Sequence, residues 1–347
     1  MFQRILLPLD GSARAERAVP IAARLAHATG GSIILVRVVN KSSKFLPSLE
    51  SPPTLAHHVL ISDIAKAEQY LVDIAASPDF EGIAVETEVR FGPVVPTLLA
   101  VADNRRADLI VLCSHGYSGM IRRIMGSVAE QLTRHTWIPV LVLRENGPLP
   151  GERYQTAERP FRALVPLDGS QQVEAVLEPT ASLLALLASR GERVLHMVRV
   201  VEPVRASIKP GGMLTETKKA IEYLSTLAND LRTGSVAPAA AQDEIDVTWS
   251  IAVDTYVVET LTQPAEEEVG SQGPEVFGDC DLIALAASAR DGVQHWALGN
   301  ITERLLLDTR FPLLIVPVPG QNRSWNDERE ERLETETNLF PLSHSHV

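Results

Sequence analysis

Short runs of apolar residues alternate with helix-length amphipathic segments along the whole chain. In the first 145 residues the apolar runs predict strands near 3–9, 33–39, 84–90, 108–113 and 139–143. The segments between them predict helices near 13–29, 55–76, 94–104 and 127–136. Uninterrupted apolar strands that alternate with helices are typical of a parallel sheet covered on both faces. The pattern therefore predicts an α/β fold of the doubly wound, Rossmann-like kind.

The same pattern occurs twice. The segment Arg4–Ser12, which ends in Pro-Leu-Asp-Gly-Ser, recurs 158 residues later as Arg162–Ser170. The segment Asp108–Leu112 recurs with an offset of 173 residues as Asp281–Leu285. A repeat of this length in a chain of 347 residues predicts two tandem five-stranded domains. The difference between the offsets places about 15 extra residues in the second copy, in the polar stretches 231–244 and 263–278.

The second copy predicts its own elements and domain limits. Its strands are expected near 162–167, 193–200, 246–252, 280–285 and 312–317, and its helices near 172–189, 215–232, 254–263 and 300–309. We expect domains at 1–145 and 161–319, joined by a linker at 146–160 where Pro and Gly replace the periodicity. The polar, charged tail at 320–347 is expected to be disordered.

The net charge, the length of the apolar runs and the number of cysteines argue against several classes of function. The formal net charge is −12, with +1 on residues 1–145 and −10 on residues 146–319, a balance that opposes binding to nucleic acid or to an anionic membrane. The apolar runs are too short to span a bilayer. Two cysteines, Cys113 and Cys280, give no disulfide framework, and the N-terminus enters a strand without a signal-like segment. We therefore expect a cytoplasmic protein.

The chemistry-bearing segment follows the fourth strand. Cys113, Ser114 and His115 lead into a loop with Gly116 and Gly119, and Gly126-Ser127-Val128 opens a helix. In an open parallel sheet, ligands bind at the carboxyl ends of the strands, next to the point where strand order reverses. The first amides of a helix have no intrahelical partner and attract phosphate, while glycines allow close approach to a ligand. Helix capping by Ser127 after an ordinary turn is the alternative explanation.

A second candidate group ends the first strand. Pro8-Leu9-Asp10 reaches the same edge of the sheet, because the first and fourth strands are neighbours in this topology. The carboxylate of Asp10 can accept hydrogen bonds from ribose hydroxyls or hold a hydrated Mg²⁺. Asp10 can also cap the next helix together with Gly11 and Ser12, and the two roles are compatible.

These segments resemble the universal stress protein family, whose ATP-binding members carry Gly-x2-Gly-x9-Gly-Ser/Thr after the fourth strand. The corresponding residues here are Cys113-x2-Gly116-x9-Gly126-Ser127, so Cys113 stands where the family pattern has its first glycine. The resemblance implies an adenine nucleotide alpha hydrolase-like fold and nucleotide contacts from Pro8, Leu9 and Asp10, from Val38 beside the adenine, and from Cys113, Gly116, Gly126, Ser127 and Val128 around ribose and phosphates.

The second copy keeps only part of the pattern. It reads Ala286-x2-Ala289-x9-Gly299-Asn300, which lacks two glycines and the hydroxyl, although Asp168 and Val200 are retained. We expect little or no ATP binding there. Residues 312–316 are expected to pair with 139–143, which gives an intramolecular version of the dimer that the family forms, and further homo-dimerisation stays open.

The resemblance implies a stress-response protein that binds ATP, or another adenine nucleotide, as a regulatory ligand. Mg²⁺ would accompany the nucleotide, and an unidentified partner protein would sense its binding. A non-catalytic role is expected because no nucleophile-and-base pair is evident. A slow Mg²⁺-dependent ATPase or phosphotransferase, and an interaction scaffold without nucleotide, are the alternatives.

Overall fold

The computed structural model describes residues 1–40, 53–114, 127–150, 160–188, 193–201, 212–253, 280–288 and 309–318. The strands of the first half are β1 (Arg4–Pro8), β2 (Ser32–Val39), β3 (Ala84–Phe91), β4 (Leu109–Ser114) and β5 (Val140–Arg144). Its α-helices are α1 (Ala13–Glu16), α2 (Val19–Thr29), α3 (Pro53–Ala75), α4 (Val94–Asn104) and α5 (Ser127–His135), with a short 3-10 helix at Pro78–Phe80.

The described elements of the second half follow the same order. Its strands are β6 (Phe161–Pro166), β7 (Arg193–Val201), β8 (Asp246–Val253), β9 (Leu282–Ser288) and β10 (Leu313–Val318). Its described helices are a 3-10 helix (Gln171–Val176), α6 (Leu177–Leu187), α7 (Gly212–Thr233) and α8 (Pro238–Gln242). The predicted helix 254–263 and all but the last residue of the predicted helix 300–309 lie outside the described residues.

The described strands form one sheet in the order β3-β2-β1-β4-β5-β10-β9-β6-β7-β8. Neighbouring strands within each half are parallel, and the two halves meet where β5 and β10 run antiparallel, with Leu313 opposite Val142 and Ile315 opposite Val140. This pairing confirms the predicted junction and the intramolecular pseudo-dimer. In each half the strand order reverses at the first strand, as expected for a doubly wound α/β fold.

A hydrophobic layer covers each face of the sheet, and both layers continue across the junction. One layer joins Leu7, Leu25 and Leu35 of the first half to Leu177 and Leu184 of the second. On this face α2 packs against α6. The opposite layer contains Leu98 and Leu132, from α4 and α5, together with strand residues of both halves. The two halves therefore share their apolar interior.

Proline explains two differences from the predicted helices. The predicted helix 13–29 is two helices, because Pro20 has no amide hydrogen and its ring would clash with the carbonyl of Glu16 in a continuous helix. Pro20 instead occupies the first turn of α2, where it is tolerated. The predicted helix 172–189 likewise begins as a 3-10 helix and becomes α-helical only at Leu177, close to Pro179. Helix α8 was not predicted and lies in the stretch 231–244, where extra residues were expected.

Candidate functional site

The site candidates lie where β1 and β4 end side by side. The ladder between these two strands includes Ile5 opposite Leu109 and Leu6 opposite Ile110, whereas β1 and β2 pair along the whole of β1. The carboxyl ends of β1 and β4 are therefore not joined by ladder pairs, and side chains or a ligand can occupy the space between them. This is the edge at which doubly wound sheets bind ligands.

Asp10 lies in a tight turn that follows β1. Its Oδ1 accepts hydrogen bonds from the amide of Ser12 at 2.9 Å and from the hydroxyl of Ser12 at 2.5 Å. Gly11 has φ +85°, a left-handed conformation that favours glycine. The hydroxyl of Ser12 also accepts from the amide of Ala15 and caps α1. Ser12 is thus the capping residue, and Asp10 orients it.

Electrostatics keep Asp10 ionised at neutral pH. Partial burial raises the pKa of Asp10, but the hydrogen bonds from Ser12 and the charge of Arg14 outweigh it, so the pKa lies below its usual value. Nη2 of Arg14 lies 3.4 Å from Oδ2 of Asp10, whose side chain is 60% exposed. The turn therefore presents a charged carboxylate to the solvent at the carboxyl edge of the sheet.

Cys113 is the penultimate residue of β4 and lies near several cationic side chains. Burial raises the pKa of Cys113 to about 11, although the nearby Arg17, Arg14 and Arg144 act in the opposite direction. The thiol is therefore protonated at neutral pH, and Cys113 is not an activated nucleophile.

Arg144 is a charged residue of this edge that the sequence reasoning missed. It ends β5, is 2% exposed, and donates from Nη1 to the hydroxyl of Ser114 at 3.0 Å. The same hydroxyl lies 3.3 Å from the carbonyl of Leu143, to which it donates. Burial lowers the pKa of Arg144 to about 10, so it still carries a charge at neutral pH. The sequence carried no sign of this role, because an arginine at the end of an apolar strand does not reveal which residue it will contact.

The other predicted residues divide into described and undescribed groups. Leu9 is buried, and Pro8, Val38 and Val128 are half-buried, with Val38 and Val128 packed against the layer of α4 and α5. Ser127 begins α5. His115, Gly116, Gly119 and Gly126 lie outside the described residues, as do Ala289, Gly299 and Asn300 of the second copy. The structure thus brings Asp10, Cys113 and Ser114 to one edge and leaves the glycine loop as a prediction.

The second half contains an equivalent turn. The amide of Ser170 donates to Oδ1 of Asp168 at 2.8 Å, and Gly169 has φ +86°. The β6–β9 ladder consists of Ala163 opposite Leu282 and Leu164 opposite Ile283, as short as that between β1 and β4. The carboxylate part of the site is therefore present in both halves.

A separate groove of about 270 Å³ lies between α4 and α5. Leu99, Gln131 and Trp137 are among its lining residues, and none of the predicted nucleotide contacts is. Among the residues that the structure describes, no group of three His, Cys, Asp or Glu side chains could hold a metal ion. No helix in the described ranges combines the length and the apolar character needed to cross a membrane.

Comparison with known proteins decides the family. A family model described as the universal stress protein family matches residues 1–144 and again residues 161–317. The chain belongs to the universal stress protein family. Its two matches are tandem copies of the family domain, as the internal repeat predicted.

Individual relatives agree with the tandem architecture. A universal stress protein of Mycobacterium tuberculosis is 23% identical over 319 residues, which cover 90% of this chain and 96% of the relative. One from Synechocystis is 32% identical over 144 residues, 41% of this chain and 86% of that protein. The crystal structure of a universal stress protein from Archaeoglobus fulgidus, 18% identical, covers 91% of this chain and 99% of its own with a TM-score of 0.59, which supports the fold.

Proposed function

We propose that this universal stress protein binds ATP, or a related adenine nucleotide, in its first domain as a regulatory ligand that is not turned over. The observation that carries the proposal is the ionised, solvent-facing carboxylate of Asp10 at the edge where β1 and β4 separate. A carboxylate at the carboxyl edge of a doubly wound sheet, where nucleotides bind, can accept hydrogen bonds from ribose hydroxyls.

The phosphates are assigned to the loop after β4. Gly116, Gly119 and Gly126 remove side chains from the approach to the ligand, and the first amides of α5, which begins at Ser127, attract a phosphate group. Ser114, held by Arg144, and the adjoining His115 would fix the start of this loop. The charge of Arg144 favours an anion at this end of the strands.

The remaining contacts follow from the family pattern. Pro8 and Leu9 would form the floor of the site, Val38 would lie beside the adenine, and Cys113 and Val128 would flank the ribose and phosphates. The neutral thiol of Cys113 is small enough to permit nucleotide approach in the place of a glycine. Mg²⁺ would enter with the nucleotide, bound by its phosphates and, through water, by Asp10.

The second domain is proposed to bind nucleotide weakly or not at all. It keeps the Asp168 turn, but Ala286 and Ala289 replace two glycines and Asn300 replaces the phosphate-binding hydroxyl. We assign it a structural role in the pseudo-dimer. The domain limits 1–145 and 161–319, the linker 146–160, the tail 320–347 and a cytoplasmic location remain part of the proposal, as does a partner protein that senses the bound nucleotide.

A matched pair of variants tests the site. Asp10→Asn keeps the shape of the turn but removes the negative charge of the group that would accept hydrogen bonds from the ribose hydroxyls. We therefore expect the affinity for a fluorescent ATP analogue to fall about tenfold, which corresponds to about 1.4 kcal/mol of binding free energy. Asp168→Asn makes the same change in the second domain and should leave the affinity unchanged.

The same samples separate regulation from catalysis. Incubation with ATP and Mg²⁺ should yield no ADP above the level of a protein-free control. ADP formation that disappears in Asp10→Asn would favour the slow ATPase, and absence of any nucleotide binding by the wild-type chain would favour the scaffold. Equal losses of affinity in both variants would contradict the assignment of the site to the first domain.

A further inference from the structure

Arg37 lies flat against the turn that carries Asp10. A Cβ atom built on Gly11 would be 3.0 Å from Nη2 and 3.1 Å from both Cζ and Nη1 of Arg37. Nearly equal distances to three atoms of a planar group mean that the guanidinium faces the glycine. Arg37 is half-buried near the end of β2 and forms no ion pair with the residues that the structure describes. Arg37 therefore contacts the turn by van der Waals packing of its guanidinium against Gly11.

Two further side chains hold Arg37 in place. Its Cζ lies 4.8 Å from the centre of the Tyr70 ring, within the range of a cation–π interaction. The hydroxyl of Tyr70 donates to Oε1 of Glu16 at 2.9 Å. Burial, together with this hydrogen bond and the charge of Glu16, raises the pKa of Tyr70, so the phenol remains a donor. The cluster of Arg37, Tyr70 and Glu16 thus connects β2, α3 and α1 around the Asp10 turn.

The second domain builds the same cluster. A Cβ on Gly169 would be 2.2 Å from Nη1 of Arg199, and Cζ of Arg199 lies 5.6 Å from the centre of the Tyr223 ring. Burial and the carboxylate of Glu174 raise the pKa of Tyr223. The arginines correspond in the sequence repeat, where Val36-Arg37-Val38-Val39 recurs as Val198-Arg199-Val200-Val201 with an offset of 162 residues, whereas the tyrosines are 153 residues apart and only the structure shows that they correspond.

We propose that Arg37 is a positioning residue for Asp10, holding the Asp10-Gly11-Ser12 turn in the conformation that presents the carboxylate to a nucleotide. The inference rests on the proposed function, which it deepens. Gly11 gives the turn conformational freedom, and the guanidinium stacked over it removes that freedom. A planar group fits this contact, and the ammonium of lysine does not.

The variants Arg37→Gln and Arg37→Lys test this role, with Arg199→Gln as the matched control in the second domain. If Arg37 positions Asp10, both substitutions at Arg37 weaken binding of a fluorescent ATP analogue about three- to tenfold, and Arg199→Gln does not. Tyr70→Phe keeps the stacked ring and should retain most of the affinity, whereas Tyr70→Leu should lose it as Arg37→Gln does. All affinities are compared at a temperature where each variant is fully folded.

A second readout does not require a nucleotide. The pKa of Asp10 can be followed by carbon NMR in the full chain; burial raises this pKa, but the two hydrogen bonds from Ser12 and the charge of Arg14 hold it below its usual value. Loss of the stacked guanidinium frees the turn, so the pKa should rise in both Arg37→Gln and Arg37→Lys and stay unchanged in Arg199→Gln. A rise in Arg37→Gln alone would show a simple effect of charge and would overturn the proposal.

The two proposals fail in different ways. Wild-type protein that binds no nucleotide would contradict the proposed function, while the NMR experiment would still decide whether Arg37 orders the turn. Wild-type protein that binds nucleotide with an affinity unchanged in both Arg37 variants would leave the function intact and overturn the positioning role.

Discussion

Single residues account for the shape and charge of the candidate site. Asp10 and Gly11 could be recognised from the sequence, because an acidic residue and a glycine directly after an apolar strand are typical of this edge of a parallel sheet. Arg37 and Arg144 could not, because a lone arginine in an apolar strand carries no signal of what it will contact. Only the fold brings Arg37 over Gly11 and Arg144 next to Ser114.

His196 is a buried histidine whose titration affects stability. It is 4% exposed, and its ring nitrogens lie 2.8 Å from the hydroxyl of Thr248 and 2.9 Å from that of Ser250. Burial, with a smaller effect of the nearby Arg162, lowers the pKa of His196 to about 4 from 6.5. In the window between these values the unfolded chain binds a proton that the folded chain does not. The free energy of unfolding therefore decreases as the pH falls through this window.

We expect this histidine to reduce stability at pH 4 by at most roughly 3 kcal/mol relative to pH 7. His196→Gln, which cannot titrate, should flatten the dependence of the unfolding free energy on pH between 6.5 and 4, measured by urea denaturation. His27→Gln, a change at an exposed position of α2, is the control and should follow the wild-type curve. If His196→Gln shows the same dependence of the unfolding free energy on pH as the wild type, the His196 ring binds a proton as readily in the folded chain as in the unfolded chain, which would contradict the lowered pKa.

At the scale of elements, the two domains stabilise the same part of the sheet by different chemistry. In the first domain, Glu86 and Glu88 of β3 form ion pairs with Arg4 of β1, Arg90 of β3 and Arg105 at the end of α4. In the second domain, Thr248 and Ser250 of β8 occupy the positions that correspond to Glu86 and Glu88 of β3. The hydroxyls of Thr248 and Ser250 form hydrogen bonds with His196, whereas the two glutamates of the first domain form ion pairs.

Glu88 should be the dominant member of the ion network. It is 7% exposed and accepts from Nε of Arg105 at 2.8 Å, so Glu88→Gln removes the charge of the most buried carboxylate in the network, while Arg105 keeps its ion pair with Glu86. We expect a loss of about 2 kcal/mol in the free energy of unfolding. Glu86→Gln, at a side chain 41% exposed, should cost less than about 1 kcal/mol. Equal losses measured by urea denaturation would contradict the role of burial.

The pattern of apolar runs was sufficient to predict all ten described strands to within three residues at each end. Helix interiors were less well predicted, because Pro20 and Pro179 divide periodic segments whose apolar faces continue on both sides of the break. Helix α8 was missed because its Pro-Ala-Ala-Ala-Gln sequence is short and lies in a stretch of turn-forming residues. The local sequence therefore predicted the positions of the strands more accurately than the first residues of the helices.

The whole molecule is a pseudo-dimer in one chain. The antiparallel pairing of β5 with β10 and the packing of α2 on α6 join the two halves through a shared apolar interior. The described parts of both halves keep the aspartate turn and its arginine, whereas the sequence of the second half lacks two glycines of the loop that we propose binds phosphate. The structural role that we propose for the second domain would account for a retained core beside a changed loop sequence.

The proposed function depends on polyphosphate binding by residues 116–127 of the first domain. Calorimetric titration of nucleotide-free, full-length protein with ATP and Mg²⁺ measures this binding. We expect one binding site per chain, which Gly126→Asp abolishes by placing a carboxylate against the phosphates, while the variant keeps the wild-type unfolding temperature within a few degrees. Two sites per chain, or one site that survives in Gly126→Asp, would contradict it.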